Sequence, residues 1–154
     1  VAVNPATYDL FAARNGNNTE GSVALWSGGT PENLTFARIT NAFLSGFEDS
    51  SEYGGAALGI GYYPPKNYLL VNDKNDGQLD IYAISGAGAA AAATLVAELD
   101  GSESGTPLGD AADAVMVNSG GVERIFITDY ANNRILVYAV EIPARAAEVW
   151  TLME

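Results

Sequence analysis

One arrangement of apolar segments occurs three times along the chain, and it restricts the fold more than any other feature. Asp9-Leu-Phe-Ala-Ala-Arg-Asn15, Tyr68-Leu-Leu-Val-Asn-Asp73 and Arg124-Ile-Phe-Ile-Thr-Asp129 are apolar runs that end in polar residues. Each leads into a turn: Gly16-Asn-Asn-Thr-Glu-Gly21, Lys74-Asn-Asp-Gly77 or Tyr130-Ala-Asn-Asn133. Asn, Asp and Gly tolerate the positive φ of tight hairpins, so each pair of runs reads as two antiparallel strands. The second strands are Ser22-Val-Ala-Leu-Trp26, Gln78-Leu-Asp-Ile-Tyr-Ala-Ile84 and Arg134-Ile-Leu-Val-Tyr-Ala-Val140. The period is about 56 residues.

Every hairpin also has an apolar strand before it and another after it. The leading strands are Val1-Ala-Val-Asn4, Ala57-Leu-Gly-Ile-Gly-Tyr-Tyr63 and Asp113-Ala-Val-Met-Val-Asn118. The trailing strands are Leu34-Thr-Phe-Ala-Arg-Ile39, Thr94-Leu-Val-Ala-Glu-Leu99 and Glu148-Val-Trp-Thr-Leu152. Several hairpin strands, Leu69-Leu-Val71 among them, are apolar on both faces, as expected for a sheet covered on both sides by other sheets. The pattern predicts an all-β protein of three four-stranded antiparallel blades of a β-propeller. A two-sheet β-sandwich is the alternative, but it would favour strict alternation.

At Ile127-Thr-Asp-Tyr-Ala-Asn-Asn-Arg-Ile-Leu-Val-Tyr138 the chain resembles the NHL-type propeller repeat. That repeat carries a strand ending in Asp, a turn with Asn-Asn-Arg or similar, and a strand ending in an aromatic. The likeness is strongest at residues 125–140; Leu70 to Tyr82 is similar but lacks the arginine, and the first unit departs further. One all-β domain over 1–154 is expected, with blades at about 1–40, 56–99 and 111–152 joined by loops 41–55 and 100–110. Propellers typically have about four to eight blades. A three-bladed chain is therefore expected to be part of a longer propeller chain or to be completed by other copies of itself.

Nineteen acidic residues against seven basic ones give a net charge of −12, which repels phosphate backbones and anionic lipid. Nucleic acid is an unfavourable partner, and no apolar run approaches the roughly 20 residues that membrane insertion by a helix requires. Acidity, abundant small residues and a first residue Val1 in place of methionine predict an exported protein, extracellular or periplasmic. The absence of histidine and cysteine removes Ser-His-Asp triads, Cys-His pairs and histidine- or thiolate-ligated zinc.

The remaining chemistry rests on carboxylates. Asn72-Asp-Lys-Asn-Asp-Gly77 resembles the start of a calcium loop, with Asp73 and Asp76 as oxygen ligands, but Lys74 takes a ligand place and no glutamate follows at the twelfth position. Asp73 and Asp129 recur at strand ends, with Asn15 at the matching place in the first unit, either as convergent calcium ligands or as caps of their own turns. Repetition in each unit favours capping. In loop 41–55, Glu48, Asp49 and Glu52 beside Phe43, Phe47 and Tyr53 offer carboxylates and aromatic platforms for a cation, a glycan or a protein ligand, or are solvated acids and packing aromatics. Asn17 and Asn33 head Asn-x-Thr sequons that would accept glycans in a eukaryotic secretory pathway. The expected role is a non-enzymatic, extracellular propeller module, a scaffold or self-assembling subunit without a cofactor. The alternatives are a calcium-dependent hydrolase, similar to gluconolactonase-like or phytase-like propellers and using Asp73, Asp129, Glu48 and Asp49, or a carbohydrate-binding module.

Overall fold

A computed structural model describes residues 1–13, 23–30, 32–33, 35–44, 57–73, 76–141 and 149–153; at 41–42, 57–58, 140–141 and 149–153 it describes the backbone alone. The protein is all-β. Among the described residues the helical segments are three-residue 3-10 turns at Pro64–Lys66, Gly88–Ala90 and Ser102–Ser104. Strands β1 (Ala2–Val3), β2 (Leu10–Ala13), β3 (Val23–Ser27) and β4 (Ala37–Leu44) form the first sheet. The second contains β5 (Ala57–Tyr63), β6 (Tyr68–Asp73), β7 (Gln78–Ser85) and β8 (Ala92–Leu99). The third contains β9 (Ala111–Ser119), β10 (Val122–Asp129), β11 (Arg134–Glu141) and β12 (Val149–Met153). Each sheet is an antiparallel meander in chain order, and the sheets stay open rather than closing into a ring.

The hairpin turns follow the residue chemistry. Gly77 (φ 63°) and Asn133 (φ 51°) supply the left-handed positions between β6 and β7 and between β10 and β11. Tyr8 (φ 56°) and Asn67 (φ 54°) occupy the same left-handed place just before β2 and β6.

Strands β6 and β7 of the middle sheet are buried on both faces, which explains why they are apolar on both sides, whereas β8 is largely exposed. Leu69, Val71 and Ile84 join Ala2, Phe11, Val23 and Leu25 in a core against the first sheet. Leu70, Leu79 and Ile81 join Met116, Ile125, Ile127 and Tyr138 in a second core against the third. Each fully buried leucine among them contributes about 2 kcal/mol. The sheets converge most closely along β5 and β9, where Gly59 and Gly61 present no side chain to the β9 backbone.

Polar clasps reinforce both seams. Glu123 at the start of β10 accepts the Tyr63 hydroxyl at 2.8 Å and pairs with Lys66 Nζ at 2.8 Å. Asn72, with its amide oxygen turned to β9, accepts the Asp113 and Ala114 N–H groups at 2.8 and 3.2 Å. In the other seam both Asp9 carboxylate oxygens accept the Gly88 N–H, at 3.2 and 3.0 Å.

Strand boundaries differ from expectation by one or two residues in several places and by more at the fourth strand of the first sheet. The fourth strand was expected at 34–39, but β4 runs from Ala37 to Leu44 and so takes in the start of the expected loop 41–55. Register shifts between Val23 and Trp26 absorb extra β4 residues, and Leu44 thereby reaches the core. The fourth strand of the second unit was expected to start at Thr94, and β8 begins two residues earlier, at Ala92.

Candidate interaction surface

The repeated strand-end aspartates are committed to the chain itself. Asp129 is 1% exposed and lies at the end of β10. Its Oδ1 accepts from the Gly109 N–H at 3.2 Å and the Asn132 N–H at 3.4 Å. Its Oδ2 accepts from Asn132 Nδ2 at 2.8 Å and Arg134 Nε at 2.7 Å. Burial raises its pKa, but the bonds from Asn132, Arg134 and Gly109 outweigh burial and hold the carboxyl below its ordinary value. Arg134 also donates to Ser104 Oγ and to the Thr106 and Pro107 carbonyls, tying the 100–110 loop to the β10–β11 turn. In the expected calcium loop, Asp73 is buried and its Oδ1 accepts the Asp76 N–H at 3.3 Å, whereas Asp76 itself is exposed. Among the described residues no group of three or more carboxylates is spaced to hold a metal ion.

Of the loop candidates, Phe43 lies on β4 and packs its ring 5.3 Å from that of Phe11, in the core between the first two sheets. Phe47, Glu48, Asp49, Glu52, Tyr53, Asn15 and Asn17 lie outside the described residues. Asn33 is exposed, and its Oδ1 accepts the Thr35 N–H at 3.1 Å, in an Asx turn.

Asp80, which sequence reasoning passed over, sits at 5% exposure on the β7 face toward the first sheet. Its oxygens accept from Gln78 Nε2 at 2.9 Å and the Tyr82 hydroxyl at 3.2 Å. Burial, with the nearby Asp73 and Glu98 charges, raises its pKa to about 6 despite those bonds. A raised carboxyl pKa means the fold prefers the protonated form. That contribution is complete below the ordinary value of 3.8 and is lost as pH rises to about 6. Asp80→Asn is accordingly expected to be about 2 kcal/mol more stable than the native protein at about pH 7.5 and nearly equal to it at about pH 4. Urea unfolding at both values checks this; an equal effect at the two would remove titration as the cause.

Apolar residues are also exposed on the outer faces of the first and third sheets. The third sheet alternates strictly. Met116, Ile125 and Tyr138, opposite one another across β9, β10 and β11, are buried against the middle sheet. The neighbouring row of Val115, Phe126 and Val137 faces the other way, with Val115 54% exposed. Beside it lie Thr128 and Ile135, shared by two hollows of about 590 and 210 Å³, the larger also lined by Tyr130, Asn133 and Arg134. The first sheet repeats the arrangement in reverse. Ala2, Phe11 and Leu25 form a row toward the middle sheet, and Val3, Leu10 and Trp26 form the opposite row, with Val3 43% exposed. Val3, Val115 and Ile135 are thus exposed on these faces, and an apolar patch left exposed on a folded protein is a candidate interaction site.

Compared with known protein families, curated proteins and solved structures, the chain matches none.

Proposed function

We propose that this chain is a non-enzymatic, exported β-propeller module that works as a scaffold or self-assembling subunit through the open faces of its end sheets. The carrying observation is a correspondence of cross-strand rows. Ala2, Phe11 and Leu25 in the first sheet match Gly61, Leu70 and Ile81 in the second, and each row covers the sheet that follows it. The matching row in the third sheet is Val115, Phe126 and Val137. It has the same apolar make, and among the described residues no further sheet packs on it. Stacking of like sheets through successive faces is the packing relation of propeller blades, and it leaves two such faces to be covered. Export is proposed from the acidic balance of 19 acids to seven bases.

A calcium-dependent hydrolase would call on Asp129 and Asp73, and both already accept bonds from the turns that follow them. The two readings separate by experiment. The module is expected to give species heavier than its 16.0 kDa chain in light scattering at micromolar concentrations, with or without chelator. Its melting temperature is expected to be insensitive to calcium, whereas an ion present at 100 times its dissociation constant would add about 2.7 kcal/mol. A 16.0 kDa mass at every concentration, or a calcium-dependent mass, overturns the proposal.

A further inference from the structure

We infer that the outer edge of β8 is a docking site for an extended peptide segment carrying basic residues, added to the middle sheet as a further strand. This edge is separate from the faces of the end sheets. β8 pairs with β7 on one side, and among the described residues no backbone hydrogen bond reaches its other side. An unpaired strand edge presents N–H and C=O groups in a regular row, and the group that satisfies such a row is another extended backbone. The edge itself therefore defines the class of partner.

Strand edges that stay free are ordinarily blunted by lysine, by proline or by short length. β8 has none of these. It is eight residues long, Ala92-Ala-Thr-Leu-Val-Ala-Glu-Leu99, without proline or a basic residue and without charge from Ala92 to Ala97. Leu95 and Val96, at its centre, are 44% and 43% exposed, within reach of the side chains of an added strand. The outer edge of β4 differs, since it carries Arg38 and two register shifts interrupt its pairing with β3.

Two observations select a peptide over the same edge of a second copy. The register shift between Ile81 and Tyr82 leaves Val96 as an extra residue on β8, and a bulge of this kind increases the local twist. A peptide follows that twist, whereas the preformed edge of a second copy brings its own bulge into the pairing. Charge acts in the same direction. Between Lys74 and Arg124 the sequence holds eight acidic residues and no basic one, and Glu98 and Asp100 are exposed at the Leu99 end of β8. Two such edges repel each other, while a lysine or arginine in the added strand beside Glu98 is attracted.

The test uses a fluorescently labelled octapeptide of alternating lysine and valine, titrated with the whole chain and read by anisotropy. Binding is expected to saturate at one peptide per chain and to weaken by about ten-fold as salt rises from about 0.05 to 0.5 M. Glu98→Gln is expected to weaken it by about five-fold. Val96→Lys, which puts a blunting charge at the middle of the edge, is expected to weaken it by on the order of ten-fold with an unchanged circular dichroism spectrum. On binding, amide exchange is expected to slow within Ala92–Leu99. The fully N-methylated peptide keeps the side chains and the charge but has no backbone donor, and it is expected not to bind. Equal binding of that peptide means that charge alone acts and overturns the inference, and equal binding of an alternating glutamate and valine peptide overturns the basic partner. Protection at β4 or β12 in place of β8 overturns it too, as does the absence of saturable binding. Protection of β8 that appears without peptide and grows with protein concentration assigns the edge to a second copy and likewise overturns the inference.

Discussion

Replacing Gly59 with alanine is expected to lower the unfolding free energy by about 3 kcal/mol, a large effect for the addition of one methyl group. A Cβ at this position would stand 2.5 Å from the Ala112 carbonyl oxygen, 2.6 Å from the Asn72 side-chain amide and 2.9 Å from Asp113 Cα. Two of those neighbours are β9 backbone, held by the ladder to β10, and cannot swing aside as a flexible side chain would. The third is the amide that accepts the Asp113 and Ala114 N–H groups, so the methyl group also disturbs the polar clasp between the sheets. Gly61→Ala is expected to cost less, since its single close neighbour, the Ala114 carbonyl oxygen, lies at 2.9 Å. Gly105→Ala isolates the conformational cost: its Cβ meets nothing within 4 Å, but its φ of +77° costs a side chain about 1 kcal/mol. Urea unfolding of the three variants checks the order. If Gly59→Ala falls within 1 kcal/mol of the native protein, β5 and β9 do not approach each other as closely as described.

The contrast between Gly59 and the hairpins shows which parts of the fold were legible. Strands and turns rest on local chemistry, so the apolar runs, the Asn and Gly positions and the four-strand grouping could all be read from the chain. The aromatics Trp26, Tyr82 and Tyr138 were visible in the second strand of each hairpin; that they occupy one row of successive sheets is a matter of register. Glycine in a strand ordinarily reads as a weak point, and the partner that gives Gly59 its purpose lies more than 50 residues away in β9. Asp80 lies beside the buried Leu79 and Ile81, where alternation would suggest a solvent-facing place; coverage of both faces of the middle sheet buries it instead. Phe43 read as a ligand platform because the register shifts that carry β4 to Leu44 depend on pairing with β3, not on local sequence. The row of Val115, Phe126 and Val137 was readable as strand, but whether a sheet covers it depends on the stacking order.

Arg134→Ala is expected to cost about 3 kcal/mol, because removing one partner of a buried ion pair leaves the other uncompensated. Asp129 is the buried partner, and Arg134 alone among its donors carries charge. The loss also frees Ser104, Thr106 and Pro107 from the guanidinium, so amide exchange in the 100–110 loop is expected to rise with it. The pH dependence supplies a sign. The Asp129 pKa is held below its ordinary 3.8, so the stability it contributes is present above that value and is lost as pH falls through the depressed one. Without Arg134 the carboxyl moves back up, and the difference from the native protein is expected to be large at about pH 7 and to shrink at about pH 2 to 3. Arg134→Lys restores the charge but not the planar fork that reaches Asp129, Ser104 and two carbonyls together, so it is expected to recover less than half of the loss. Full recovery by lysine would mean that charge alone holds this corner. The middle sheet provides an internal comparison: Gln78 is the first residue of β7 as Arg134 is of β11, and it donates to Asp80 and Glu98. Burial, with the Asp73 and Glu98 charges, raises the Asp80 pKa by more than the bonds from Tyr82 and the neutral Gln78 amide lower it, whereas at Asp129 the bonds from Asn132, Arg134 and Gly109 outweigh burial.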